Sequence, residues 1–294
     1  VDAGGGSAHV PSDGLGAQQR GQILGGLGNE TGYGGRSDRS YLPSGTVDFL
    51  GGDGNDVAYA YAAPNTAPFN FYGEGGDDKL VLGEISGQPD LGGLDGAICF
   101  YGGEDNDTLD MKHTVYANVE ARFHKSVTPS GDEQAHLGGY GMEQGLWYDA
   151  ESVKLTVTHQ SGRADVYIDA TGPSTQSLEV TEYGGSHFHI GTDPNLPLSA
   201  IHGQLLVGDG ALDELSEAGV SDGADAITLS YRGAPHYDYQ ITSLWLDGLI
   251  CNFGNLQITP TSQADTITLQ SLRDDMGVTL LGIQPADLIV LGQG

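Results

Sequence analysis

Basic side chains are scarce in this chain: 11 Lys and Arg stand against 40 Asp and Glu, leaving a formal charge of −29 at pH 7. A surface that acidic repels nucleic acid and anionic membranes and attracts cations, so calcium or another hard cation is the expected partner. Long apolar runs are also missing, and none approaches the roughly 18 to 20 residues of a membrane span. Only two cysteines occur, Cys99 in DGAICFYG and Cys251 in DGLICNFG. They set no disulfide framework and read as buried free thiols, because a bridge needs Cα atoms within about 7 Å. The chain starts at Val1 without an initiator Met or a charged-then-apolar leader. It is therefore read as a processed product or a segment of something longer.

Glycine, by contrast, is abundant, at 48 residues. Glycine disfavours helix interiors and supplies positive-φ turns, so many short strands separated by tight turns are expected and long helices are not. One turn-plus-strand unit recurs. It reads GGLGNETGY at Glu30, GGDGNDVAYAY at Asp56, GEGGDDKLVLG at Asp78, GGEDNDTLDM at Asp107 and SGRADVYID at Asp165. It continues as GGSHFHIG at His187, VGDGALDELS at Asp213, TSQADTITL at Asp265 and QPADLIVLG at Asp287. The interval is 22 from Asp56 to Asp78, from Asp165 to His187 and from Asp265 to Asp287, and it is 29 from Asp78 to Asp107 and 26 from His187 to Asp213. These are coil lengths of a solenoid with variable insertions. Two residues after the turn position stand Ala58, Leu80, Leu109, Tyr167, Leu215, Ile267 and Ile289, which are expected to point inward.

A longer period lies above this one. The approaches PDLGGLDGAICFYGGEDNDTL, PNLPLSAIHGQLLVGDGALDEL and PSDGLGAQQRGQILGGLGNETGY match one another. Read cyclically, they give three super-repeats of about 100 residues: 38–138, 139–237, and 238–294 continued by 1–37 of a neighbouring unit. The expectation is an all-β, right-handed parallel β-helix with uncapped ends, stacked head to tail on identical units joined covalently or as a filament. Roughly a dozen coils at about 4.8 Å each would span about 55 Å.

The turn at Gly51-Gly52-Asp53-Gly54-Asn55-Asp56-Val57-Ala58 resembles the glycine-rich nonapeptide GGxGxDxUx of hemolysin-type (RTX) calcium-binding proteins. In that family, turn carbonyls and the sixth-position carboxylate bind calcium between successive turns. The resemblance implies metal ligands at Asp53, Asn55 and Asp56, at Asp77 and Asp78, at Asp105 and Asp107, and at Asp209 and Asp213. The family repeats every nine residues, whereas the closest interval here is 22, so a wider coil is expected than a β-roll. The turns GRAD, SQAD and QPAD have lost most of their glycines and His187 is no carboxylate, so these keep the shape without the metal. Residues 139–168 also look like the recurring segment of very large repetitive surface proteins, which implies an extracellular structural role. Asp also supports tight turns through its own backbone without any metal, so both roles stand for Asp56.

His187 and His189, two apart on one strand face, have zinc-ligand spacing but no identifiable third ligand, so ordinary surface or half-buried histidines are expected. Asn29-Glu30-Thr31 and Asn106-Asp107-Thr108 are N-glycosylation sequons. Scattered basic residues and the absence of GxSxG, GKS and CxxC patterns speak against an enzyme. Two functions follow. One is the calcium-stabilised repeat unit of an extracellular filament or appendage. The other is a calcium-dependent adhesion module whose acidic, Tyr-bearing face recognises carbohydrate.

Overall fold

The computed structural model describes residues 7–9, 21–34, 45–66, 68–84, 89–183, 187–208, 211–216, 226–234, 237–242, 249–251, 255–260, 263–271 and 277–292. Their regular structure is nearly all β-strand, with one 3₁₀ turn at Leu198–Ala200. No helix among them is long and apolar enough to cross a membrane. The chain forms two compact units, one of Val1–Thr114, Lys125–Thr156 and Gly172–Thr175, the other of Val115–His124, Val157–Thr171 and Gln176–Gly294.

In the first unit, successive strands alternate between two sheets. The first sheet takes β1 (Ser7–His9), β3 (Thr31–Gly34), β5 (Val57–Ala60), β7 (Lys79–Leu82) and β9 (Thr108–Val115). The second takes β2 (Gly21–Leu24), β4 (Val47–Asp53), β6 (Phe69–Gly75) and β8 (Ile98–Glu104). Each strand pairs in parallel with the strand two places on, so the turn intervals of 22 and 29 residues reappear as register: Val57 lies beside Lys79 and Lys79 beside Thr108. Met142–Asp149 joins β8 in parallel and carries Glu133–Gly139 as an antiparallel partner, so the stretch without a readable period is a hairpin insertion.

Size complementarity sets the core between these sheets. Phe49, Phe71 and Phe100 stack at 4.8 and 5.2 Å, all fully buried. Facing them are small residues: a Cβ on Gly32 would press on the Phe49 ring at 3.1 Å. Ala58, Leu80 and Leu109 are fully buried, as their position after the turn requires.

In the second unit, the segment beginning at Val119, Ala164–Ile168, His187–Ile190, Ala211–Ser216, Asn255–Thr259 and Gly277–Leu280 follow one another in parallel. Another sheet contains Ser177–Tyr183, Gln204–Gly208, Leu249–Cys251, the antiparallel pair Ala226–Ala234 and Tyr237–Thr242, Thr266–Leu269 and Leu288–Leu291.

Two expected positions are corrected here. Tyr167 points outward and stacks on His189 at 4.7 Å with the Arg122 guanidinium 4.3 Å from its ring, while Ala164, Val166 and Ile168 are the buried residues. A period of two sends every side chain to the other face after a slip of one residue, so Asp165 is the outward neighbour of the position that Asp56 fills. Asp213, expected opposite His187, instead falls in a register shift: His187 pairs with Ala211 and His189 with Glu214. Ile267 is fully buried as expected, and Ile289 is 42% exposed on the last strand of its sheet.

Candidate functional site

The recurring turn acids of the first unit form an inner ladder. The backbone N–H of Glu30 donates to Asp56 Oδ1 at 2.6 Å, that of Asp56 to Asp78 Oδ1 at 2.7 Å, and that of Asp78 to Asp107 Oδ1 at 2.8 Å. Asp107 N–H then donates to Glu151 Oε2 at 2.8 Å. The backbone bonds run the other way, with Val57, Lys79, Thr108 and Ser152 donating back to the carbonyls of Glu30, Asp56, Asp78 and Asp107. Each acid thus ties its own coil to the next. Glu30, Asp56, Asp78 and Asp107 are at most 1% exposed, where an unpaired backbone N–H would cost about 1–3 kcal/mol.

One residue earlier runs an outer ladder of opposite direction. Asn55 N–H donates to Asn29 Oδ1 at 3.2 Å, Asp77 N–H to Asn55 Oδ1 at 3.1 Å and Asn106 N–H to Asp77 Oδ1 at 3.1 Å. These side chains are exposed. Neighbouring coils are therefore bonded at the turn from both sides.

The inner carboxylates retain one oxygen each, Asp56 Oδ2, Asp78 Oδ2 and Asp107 Oδ2, that is buried without a hydrogen-bond partner. Gly51, Gly73 and Gly102 lie against these oxygens, and a Cβ at any of the three would collide with the carboxylate. Burial is the main cause that pushes the carboxyls up, Asp78 to about 8 with Asp56, Asp107 and Asp77 adding to it, and Asp107 to about 6 with Glu151 beside it. Asp56 moves the same way, through burial and Glu30.

A raised carboxyl pKa means that the folded chain holds a proton the unfolded chain has released above about pH 4. The stability from a protonated ladder is thus complete below about pH 4 and drains as pH rises through 6 to 8. With divalent cations chelated, the melting temperature is expected to fall between pH 5 and pH 8. Asp78→Asn, which keeps an acceptor and removes the charge, should flatten that slope. An unchanged slope in thermal melts of Asp78→Asn would place the titration elsewhere.

The other expected ligands separate by position. Asn55 and Asp77 belong to the outer ladder, whereas Asp53 and Asp105 are exposed, Asp105 with φ 79°. Asp209 and the side chain of Asp213 lie outside the described residues. Among the described residues no three His, Cys, Asp or Glu side chains group as a metal site, so a cation at the ladder would draw mainly on backbone carbonyls. The sequon residues Asn29 and Asn106 are exposed. Cys99 and Cys251 are buried free thiols.

Sequence reasoning missed Glu151, which continues the inner ladder 44 residues after Asp107. The glycine-poor turns also kept more than their shape, since Asp265 N–H donates to Asp287 Oδ1 at 3.0 Å. The second unit holds a further buried acid, Asp169, whose Oδ2 takes Arg122 at 2.5 Å and whose Oδ1 accepts from the backbone of Thr192 and Asp193. Both its oxygens are bonded, which marks a structural clamp. Comparison with protein-family profiles, curated proteins and solved structures finds no match.

Proposed function

We propose that the chain is a right-handed parallel β-helix that serves as the structural unit of an extracellular filament or appendage, stacked end to end on identical units and stiffened by calcium. The observation that carries this reading is the in-register repetition of strand and turn, in which the inner and outer ladders complete each coil only through its neighbour. The strand Leu288–Leu291, last in its sheet, supports the stacking: its four apolar side chains are 38 to 72% exposed. Residues 277–292 carry a single charge, Asp287, in a chain of net −29. A further coil, whether covalently continuous or from a second copy, would cover this surface, gaining about 25 cal/mol for each Å² of apolar area removed from water.

The ladder suits a hard cation in its chemistry. Its donors are oxygens, three of them carboxylate oxygens without partners beside glycine carbonyls, as calcium requires. Asp56, Asp78 and Asp107 would each lend a single oxygen to an ion held mainly by backbone carbonyls, and the ion would supply the positive charge that otherwise must come from protons. Asn29 and Asn106, both on the exposed edge of the ladder, are positioned to carry N-linked glycans in a secreted protein.

Electron microscopy of the native material before and after chelation of calcium tests the reading. Fibres with an axial repeat near the expected 55 Å or so, fraying when calcium is removed, are the expected result. Discrete particles in both conditions would sink end-to-end stacking, and fibres indifferent to chelation would remove calcium from the ladder.

A further inference from the structure

The outer face of β6 and β8 carries two grooves that share one wall. Tyr72 and Tyr101 pair in register, their rings 5.0 Å apart and within 5° of parallel. On one side of this pair, toward Asn70 and Cys99, lies a groove of about 340 Å³ that also touches Pro129 and Ser130. On the other side, toward Glu74 and Gly103, lies one of about 360 Å³ bordered by Gln22 and Leu50. Outward residues alternate along a strand, so residues 70 to 74 give a trough about 13 Å long with the tyrosines at its middle.

The geometry points to a binding site for a short, neutral oligosaccharide. Among the described residues neither groove is lined by a Lys, Arg or His, so none of them would neutralise a phosphate, sulfate or uronate, and the net charge of −29 opposes such ligands further. What the trough does present is flat aromatic surface with hydroxyls from Tyr72, Tyr101 and Ser130, amides from Asn70 and Gln22, and one carboxylate, Glu74. Apolar faces ringed by hydroxyls that both donate and accept are the matching chemistry, and they describe an uncharged sugar.

Two features indicate that the trough is prepared in advance. The wall at Pro129 and Ser130 is a stapled turn: Thr128 N–H donates to the Asp132 carbonyl, Gly131 N–H to the Thr128 carbonyl, Asp132 N–H to Thr128 Oγ1 and Ser130 Oγ to Asp132 Oδ2, all at 2.7 to 3.0 Å. Glu74 meanwhile holds a left-handed backbone, φ 79°, where the register neighbours Gly52 and Gly103 sit at 95° and 113°. A non-glycine residue kept in that region against its steric cost is a mark of functional sites.

The test is calorimetric titration of the full chain with cellohexaose, mannohexaose and chitohexaose, and with hexagalacturonate as the anionic probe. At least one neutral hexaose is expected to bind with Kd below about 1 mM, and hexagalacturonate roughly tenfold more weakly. Tyr72→Ala and Tyr101→Ala should each weaken the neutral sugar roughly tenfold, while Tyr59→Ala, in the separate tyrosine stack of Tyr33 and Tyr59, should leave Kd within about twofold. Ser130→Trp, on the exposed turn, should fill the groove while leaving Tyr72 and Tyr101 in the sheet, and it serves if the tyrosine variants fail to fold. No binding by any neutral hexaose, equal binding of hexagalacturonate, or unchanged affinity in both the tyrosine variants and Ser130→Trp would overturn the site. Each of these outcomes leaves the filament reading untouched.

Discussion

Gly73→Ala is expected to destabilise the fold by about 3 kcal/mol or more, although it adds a single methyl group. The added Cβ would overlap both Asp78 Oδ2 and the carbonyl oxygen of Gly102 on the next coil. The carbonyl belongs to the sheet and cannot step aside, and moving the Asp78 carboxylate breaks the bond from Asp56 N–H. A loss at Gly73 would therefore reach two neighbouring coils. Gly26→Ala is the matched control in a turn of the same family. Its Cβ would find no heavy atom closer than Glu30 Oε1 at 3.8 Å, and its backbone is not left-handed, so a change within about 0.5 kcal/mol is expected. Urea denaturation followed by far-UV circular dichroism compares the two. Equal stabilities would show that the coils do not stack at this distance.

The second large effect is expected at the middle of the aromatic core. Phe71→Ala should cost about 3–5 kcal/mol, because Phe71 is fully buried and its ring contacts Phe49 on one coil and Phe100 on the next. Removing it leaves a cavity between two rings that their own strands hold in place. The cost should be the same with and without calcium, unlike any change in the turn ladder, so denaturation curves in both conditions separate packing from turn electrostatics. A loss below about 1 kcal/mol would mean that the rings collapse together and the sheets tolerate the void.

Much of this organisation can be read from particular residues. The buried run Ala58, Leu80 and Leu109 follows from counting two places past each turn acid, because alternation along a strand is a property of the backbone alone. The same count failed at Tyr167. There the turn GRAD keeps a single glycine, Gly162, too little to mark its phase, and counting from the acid puts Asp165 in the inward position that Ala164 occupies. The alternation of Ala164, Val166 and Ile168 was the better signal. Glu151 had no comparable signal, since a hairpin insertion interrupts the interval and no glycine-rich turn precedes it. The outer ladder was present in the letters, as Asn29, Asn55, Asp77 and Asn106 each stand one place before an acid of the inner ladder. The opposite directions of the two ladders were not, because a donor and an acceptor on different coils are related only once the coils stack.

What the chain's letters determine by themselves is the period of the coil, the strand that follows each turn and the face that turns inward. All three rest on local geometry, the pleat of a strand and the conformational freedom of glycine at its turns. Only the tertiary structure decided that Asp56, Asp78 and Asp107 are buried, that each gives one oxygen to a neighbouring backbone and keeps another without a partner, and that two tyrosines wall a trough on the outer face. These properties depend on residues 22 to 44 positions apart meeting across a sheet. The charge state of a carboxylate is set by the solvent and dipoles that such meetings remove or supply, and no single stretch of sequence contains them.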